Sequence, residues 1–70
     1  MRHRTPSPAN MRVAHALAVV YARDGRATAG TICRECGLTR ATVIEHLRTL
    51  IRLDLVMHNG DGEYRPGEVS

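Results

Sequence analysis

The sequence lacks the features on which several protein classes depend. It has two cysteines, too few for a framework of disulfides. It has no apolar run long enough to cross a membrane or to form the core of a secretion signal. We therefore expect a cytoplasmic protein with reduced thiols and no membrane partner. Its 70 residues allow one domain at most.

Signatures of catalysis are also missing. There is no glycine-rich phosphate loop, no pair of carboxylates in a predicted cleft and no set of residues resembling a catalytic triad. The four histidines are scattered and show neither catalytic partners nor metal-ligand spacing; they are His3, His15, His46 and His58. We expect no enzymatic activity, no cofactor and no metal site.

Lysine is absent, and all ten basic residues are arginines. A GC-rich genome favours arginine codons, but arginine also suits two-point contacts to phosphate and guanine. The net charge of +3 is unevenly distributed. Residues 1–12 hold three arginines and no acid, residues 39–53 hold three arginines and one acid, and residues 54–70 hold four acids and one arginine. Positive charge is therefore concentrated at the N-terminus and around residues 39–53.

Prolines, glycines and capping residues divide the chain into a basic flexible arm (1–7), a domain (8–67) and a short tail (68–70). Within the domain, the pattern predicts helices over residues 8–24, 29–36 and 39–53, a very short strand at 26–27 and a hairpin over residues 55–66. The hairpin is predicted from two consecutive turn dipeptides, Asn59-Gly60 and Asp61-Gly62, between β-type runs.

The first helix has clear boundaries and a wide apolar surface. Ser7 is its expected N-cap, Pro8 suits its first turn, and Gly25 suits a left-handed C-terminal stop. Its main apolar stripe is predicted to consist of Ala14, Leu17, Ala18 and Tyr21. Other apolar residues between Val13 and Ala22 widen this surface beyond one face. Since a wide apolar patch usually marks an interface, we expect a homodimer that pairs the first helix.

Residues 28–50 fit a helix-turn-helix. Thr28 and Thr39 are each placed to cap the helix that follows, and Gly37 supplies the left-handed conformation at the turn. Cys33 is the small residue needed where the two helices cross. The inward stripe of the third helix is predicted to consist of Val43, Leu47 and Leu50.

The stretch TAGTICRECGLTRATVIEHLRTLIRLDLVMHNGDGEYRPG, residues 28–67, resembles the winged helix-turn-helix of small bacterial regulators of the ArsR, MarR and IclR kinds. The resemblance implies a mainly α fold of three helices with a small β-hairpin, the wing. It also implies a transcriptional regulator that binds double-stranded DNA sequence-specifically, with the third helix in the major groove. The chain departs from the family pattern at Ile44 and Glu45, where polar or basic groove-facing residues are usual, and at Asp54, where glycine is usual.

The predicted DNA-binding residues lie on the third helix and the hairpin. Arg40, near the helix start, is placed to read a base edge, whereas Arg48 and Arg52 suit phosphates. Arg48 and Arg52 are like charges one helical turn apart, which is unfavourable without a nearby anion. The alternative is a solvated helix face on which Glu45 pairs with Arg48. The full predicted set is Thr39, Arg40, Thr42, Ile44, Glu45, Arg48, Arg52 and Arg65.

Two other functions suit the same fold. One is a protein-interaction module that docks a partner through Ile44, Glu45 and Ile51. The other is a thiol-based redox or metal sensor that uses the CxxC pair, Cys33 and Cys36. Against the sensor, both cysteines occupy positions where the family pattern has buried small or apolar residues, and cysteine is among the most buried residue types. We therefore expect both thiols to pack in the core.

Overall fold

Three helices and a three-stranded antiparallel sheet form residues 7–67, the part of the chain that this computed structural model describes. In chain order the elements are α1 (Pro8–Asp24), β1 (Ala27–Thr28), α2 (Ala29–Cys36), α3 (Arg40–Arg52), β2 (Val56–His58) and β3 (Glu63–Pro66). This order confirms the predicted three-helix fold with a hairpin wing. The predicted arm, apart from its last residue, and the predicted tail lie outside the described residues. No helix within residues 7–67 is both long and apolar enough to cross a membrane.

Helix α1 has the boundaries that its capping residues predict. The Ser7 side chain accepts a hydrogen bond from the backbone N–H of Asn10 at 3.1 Å, and Pro8 lies in the first turn. At the other end, Gly25 adopts a left-handed conformation with φ of 77° and donates its N–H to the Tyr21 carbonyl. Glycine adopts this conformation without a steric cost, so the stop is encoded locally.

The helix pair α2 and α3 is also delimited by local hydrogen bonds. Thr28 and Thr31 form a reciprocal capping box at the start of α2, and Gly37, with φ of 77°, ends it. The Thr39 side chain then accepts from the backbone N–H of Thr42 at 3.3 Å. The chain therefore passes from α2 to α3 through only residues 37–39, as predicted.

The end of α3 is a Schellman motif without the usual glycine. Leu55 donates its N–H to the carbonyl of Leu50 at 2.9 Å, and Asp54 donates to Ile51 at 3.0 Å. Asp54 takes the left-handed position with φ of 62°, the one non-glycine residue in this region among residues 7–67. The departure from the family glycine at this position is therefore a strained one.

The core is formed by one face of each helix and by the inner side of the sheet. Its members are Val13, Ala16, Leu17, Val20, Ala27, Ile32, Val43, Leu47, Leu50 and Val56. The inward stripe predicted for α3 is confirmed, since Val43, Leu47 and Leu50 are all 0% exposed. The stripe predicted for α1 was wrong in part, because Ala18 is exposed while Val13 and Val20 are fully buried.

The sheet has the strand order β1-β3-β2, so β3 lies in the centre. Tyr64 of β3 pairs with Ala27 on one side and with His58 on the other, and it packs against the core. Strand β1 is one residue later than predicted, because its pairing with β3 involves Ala27 and Thr28 rather than Arg26. The short first strand thus closes the sheet and gives β3 two neighbours.

Candidate nucleic-acid interface

Helix α3 presents an exposed stripe on the side opposite its core-facing residues. The stripe consists of Ala41, Glu45, Arg48 and Arg52, all of which are exposed. Their spacing of four, three and four residues places them on one helical face. We call this set the outer stripe. Three of the eight predicted site residues, Glu45, Arg48 and Arg52, therefore lie together.

The outer stripe carries more positive than negative charge, and no ion pair among residues 7–67 neutralises its arginines. The ion pairs in this part of the chain join Arg23 to Asp24 and Glu35, and Arg26 to Glu63. The alternative pairing of Glu45 with Arg48 is not formed within this range. Arg48 and Arg52 thus remain like charges one turn apart, an arrangement that a bound anion would stabilise.

The first turn of α3 contains three further predicted residues. Arg40 is the first residue of the helix and is exposed. Thr39 caps the helix and donates its hydroxyl proton to Thr42 Oγ1 at 2.8 Å. The Thr39 hydroxyl is therefore occupied, whereas the hydroxyl proton of Thr42 remains available to a ligand. The free backbone N–H groups of a first helical turn also favour an anion.

Ile44 lies between the outer stripe and the core and is half-buried. Ile51 and Leu55, which share its apolar periodicity, pack against the protein's own core. Part of the apolar surface of these two side chains is therefore buried within the domain. Ile51 is half-buried, so only part of its side chain could contact a partner of a protein-interaction module.

The hairpin places its charged residues differently from α3. The turn at residues 59–62 is closed by a hydrogen bond from Asn59 N–H to the Glu63 carbonyl at 2.9 Å. Arg65 is opposite Met57 in the register and lines a shallow groove with Asp54, close to the C-terminal end of α3. The structure therefore separates Arg65 from the first turn of α3. The hairpin turn carries an acidic residue, Asp61.

An aromatic stack stiffens the hairpin. The rings of His58 and Tyr64 lie 4.5 Å apart between centroids and are inclined by 14°. They face each other across the β2–β3 register, and Tyr64 also reaches the core. The stack fixes the hairpin relative to the helices, because it joins an exposed strand to a core residue.

Both cysteines pack against the core, and both are half-buried. The Cys33 thiol donates to the Leu38 carbonyl at 2.8 Å, inside the turn that leads to α3. The Cys36 thiol lies 3.9 Å from the Cys33 carbonyl. Within residues 7–67, no group of three or more histidine, cysteine or acidic residues is arranged to hold a metal ion.

One polar contact to α3 had no signal in the sequence. Nδ1 of His46 lies 2.6 Å from Oδ1 of Asn10, although 36 residues separate them in the chain. An asparagine in the first turn of a helix and an isolated histidine are each ordinary surface residues by pattern. Only the crossing of α1 over α3 brings them together.

Comparison with known proteins agrees with this geometry. The family profile of a helix-turn-helix domain matches residues 7–59, from the N-cap of α1 to the start of the hairpin turn. A similar solved structure is the Zα domain of PKZ from Carassius auratus, crystallised in complex with Z-DNA. The two share 27% sequence identity with a TM-score of 0.63, over 83% of this chain and 97% of that chain. No curated protein matches the chain. The profile covers most of the described residues and the architecture includes the wing, so the chain belongs to the helix-turn-helix domain family and has the winged-helix fold.

Proposed function

We propose that this chain is a DNA-binding transcriptional regulator that inserts α3 into the major groove of double-stranded DNA. Two comparisons support a nucleic-acid partner: membership of the helix-turn-helix family and the similarity to a Zα domain bound to Z-DNA. The proposed role is binding rather than catalysis, and the proposed location is the cytoplasm.

The outer stripe is the observation that carries this proposal. A helix about 10–12 Å in diameter fits a major groove about 12 Å wide. One face of α3 is exposed and can enter that groove. On the opposite face, Val43, Leu47 and Leu50 pack in the core and are 0% exposed. The exposed face carries Arg48 and Arg52 without acidic partners among the described residues.

The positions along α3 suggest distinct roles for its side chains. Arg40, at the start of the helix, reaches toward a base edge, where arginine pairs with guanine in two hydrogen bonds. Arg48, Arg52 and the Thr42 hydroxyl bind phosphate oxygens. Ile44 contacts a thymine methyl group, and Glu45 accepts from a cytosine amine, since phosphates would otherwise repel its carboxylate.

The form of DNA is part of the proposal and its test. Sequence-specific reading requires the major groove of a right-handed duplex, where all four base pairs are distinguishable. We therefore expect selection from random right-handed duplexes to enrich a defined site. A left-handed duplex of alternating C and G, chemically locked in that form, is the competing ligand. Preference for the left-handed duplex without sequence enrichment would retain DNA binding but contradict the major-groove proposal.

Arg40 tests the base-reading role. Replacement of Arg40 by alanine should cost about 1–3 kcal/mol on the selected site and relax the preference at one base position. Affinity for random duplexes should change less, because those complexes rest on phosphate contacts. If Arg40→Ala weakens selected and random duplexes equally, Arg40 binds phosphate instead.

Homodimerisation through α1 is the second part of the proposal, and the structure narrows the surface available for it. Most of the wide apolar surface of α1 packs inside the domain, which leaves Met11, His15, Ala18 and Ala22 exposed along one face. A dimer that pairs these faces would present two copies of α3. Its site would be an imperfect palindrome with half-sites about 34–36 Å apart.

Two exposed methionines provide a matched test of this interface. Met11 on α1 is 48% exposed and Met57 on β2 is 46% exposed, so equal substitutions remove equal apolar surface from different faces. We expect Met11→Asp to produce monomers in sedimentation equilibrium, because it places a charge inside a paired apolar face. Met57→Asp should remain dimeric. A monomeric wild type at about 10–100 μM, or equal effects of both substitutions, would contradict pairing through α1.

A further inference from the structure

A hydrogen bond between Asn10 and His46 joins the start of α1 to the middle of α3. Asn10 is 8% exposed and is the one buried polar residue within residues 7–67. Its Oδ1 lies 2.6 Å from Nδ1 of His46. Because an amide oxygen only accepts, Nδ1 of His46 carries the proton and donates it. Of the two tautomers of a neutral ring, the contact therefore fits the one with its proton on Nδ1.

The N-cap of α1 fixes the backbone of Asn10. Its backbone N–H donates to the Ser7 side chain at 3.1 Å, in the N-cap of α1. The same residue thus completes the cap with its main chain and contacts α3 with its side chain. Helix α1 presents a fixed acceptor to His46, because the backbone of Asn10 is already ordered by the cap.

His46 lies at the boundary between the two faces of α3. The residue before it, Glu45, belongs to the exposed outer stripe, whereas the residue after it, Leu47, is 0% exposed. Successive residues are about 100° apart around a helix, so the direction of the His46 ring and that of the outer stripe are fixed relative to each other. A constraint on His46 is a constraint on the outer stripe.

The apolar core and the hydrogen bond constrain the rotation of α3 about its axis in different ways. Burial of apolar surface is non-directional, whereas a hydrogen bond requires a defined distance and angle. A rotation of about 10° moves an atom about 6 Å from the helix axis by about 1 Å. Binding residues need to be held within about 0.5 Å of their working positions.

We propose that Asn10 and His46 are positioning residues that set the rotation of α3 and so hold the outer stripe in register with DNA. The inference rests on the proposed function, because it assigns these residues to the same DNA-binding face. Neither residue needs to touch DNA. Their effect on binding acts through Glu45, Arg48 and Arg52.

The first test separates positioning from stability. The double variant Asn10→Leu/His46→Leu replaces both partners by apolar residues and leaves no buried group unpaired, so its unfolding midpoint should stay close to that of the wild type. Its DNA affinity should nevertheless fall about threefold to tenfold, because a misaligned outer stripe weakens about one polar contact to DNA. A double variant that is as stable as the wild type and binds DNA equally well would overturn the proposal.

A second pair of variants tests the ring nitrogen itself. Asparagine places its amide nitrogen near the position of histidine Nδ1, whereas glutamine places it near Nε2. We expect His46→Asn to bind DNA within about twofold of the wild type and His46→Gln to lose as much affinity as the double variant. Equal losses in both would overturn the proposal. So would an Asn10→Leu variant with unchanged affinity beside a weakened His46→Leu, since that result assigns His46 a direct contact to DNA.

The ring tautomer provides a readout that does not depend on DNA. Nitrogen-15 spectra of the neutral His46 ring should show the proton on Nδ1 in the wild type and a mixture of tautomers in Asn10→Leu. A ring proton on Nε2 in the wild type would overturn the proposal outright. If the spectra show the Nδ1 proton but the wild type binds no duplex of either handedness, the proposed function fails and the hydrogen bond stands as a feature of the fold alone.

Discussion

Replacement of Asp54 by glycine should stabilise this domain. Asp54 occupies the position of the Schellman motif at which a helix commonly has glycine, and its φ is 62°. A Cβ atom in this conformation is crowded by the backbone. The carboxylate also stands beyond the C-terminal end of α3, where the helix dipole is negative. No ion pair within residues 7–67 involves Asp54, so none would be lost.

The expected gain follows from three opposing contributions. The left-handed conformation costs a non-glycine residue about 1–2 kcal/mol, and aspartate lies near the lower end because it tolerates this region well. The unfavourable charge at the helix end costs about 0.3–1 kcal/mol. Glycine loses about 0.5–1 kcal/mol through its greater freedom in the unfolded chain. The net stabilisation is about 1 kcal/mol, which raises the midpoint of thermal unfolding by about 4–8 °C in a domain of this size.

Thermal unfolding followed by circular dichroism measures this change in stability. Two further variants separate the contribution of the charge from that of the left-handed backbone conformation. Asp54→Asn removes the charge but keeps a side chain that tolerates a positive φ, so it should recover only the contribution of the helix dipole. Asp54→Ala removes the charge but retains the Cβ, so it should be less stable than Asp54→Gly. An Asp54→Gly variant that melts below the wild type would refute the reasoning and would show that the aspartate side chain stabilises the hairpin or the helix end.

Substitutions at two glycines and at both cysteines also have defined expected outcomes. A Cβ at Gly67 would lie 2.6 Å from a backbone carbonyl oxygen, so Gly67→Ala should lower the unfolding free energy by about 1–3 kcal/mol, whereas Gly60→Ala, with nothing within 4 Å, should change it little in the same denaturant titration. Cys33→Ala and Cys36→Val should keep the fold and DNA binding, with a loss of about 1–2 kcal/mol at Cys33, whose thiol donates to Leu38. Stoichiometric zinc in the wild type that either cysteine variant loses, or DNA affinity that changes reversibly with oxidant, would instead favour the sensor hypothesis.

Five of the six helix boundaries could be predicted because neighbouring residues encode them. Ser7, Thr28 and Thr39 cap the backbone three residues ahead of them, and Gly25 and Gly37 end their helices by adopting positive φ. Such interactions depend on no distant part of the chain. The sequence therefore predicted the three helices and the short turn between α2 and α3.

The buried face of α1 could not be read from the sequence in the same way. Apolar residues surround much of this helix, so its periodicity favours no single direction, and Ala18 was assigned to the main apolar stripe although it is exposed. The packing of α2, α3 and the sheet decides which side is covered. The register of β1 is likewise decided by β3, because a strand of two residues has no preference of its own.

The charged residues of the candidate interface could be predicted from the sequence, but the contact that positions them could not. The outer stripe follows from helical spacing, and Arg48 and Arg52 could be identified from the sequence alone. The positioning contact between Asn10 and His46 spans 36 residues and depends on the crossing of two helices, which local patterns do not encode. The separation of Arg65 from the first turn of α3 is also a property of the folded hairpin.

The salt dependence of DNA binding tests the proposed role of α3 most directly. Affinity of the wild type, Arg48→Ala and Arg26→Ala for one right-handed duplex should be measured between about 50 and 200 mM salt. Arg26→Ala is a suitable control because it removes the same charge at a position outside α3. There, Arg26 forms an ion pair with Glu63 at 3.8 Å. We predict that Arg48→Ala lowers the slope of log affinity against log salt by about 0.9, the value for one phosphate contact, and that Arg26→Ala leaves the slope unchanged. Equal slopes for the wild type and Arg48→Ala, or equal reductions in both variants, would contradict the placement of α3 on DNA.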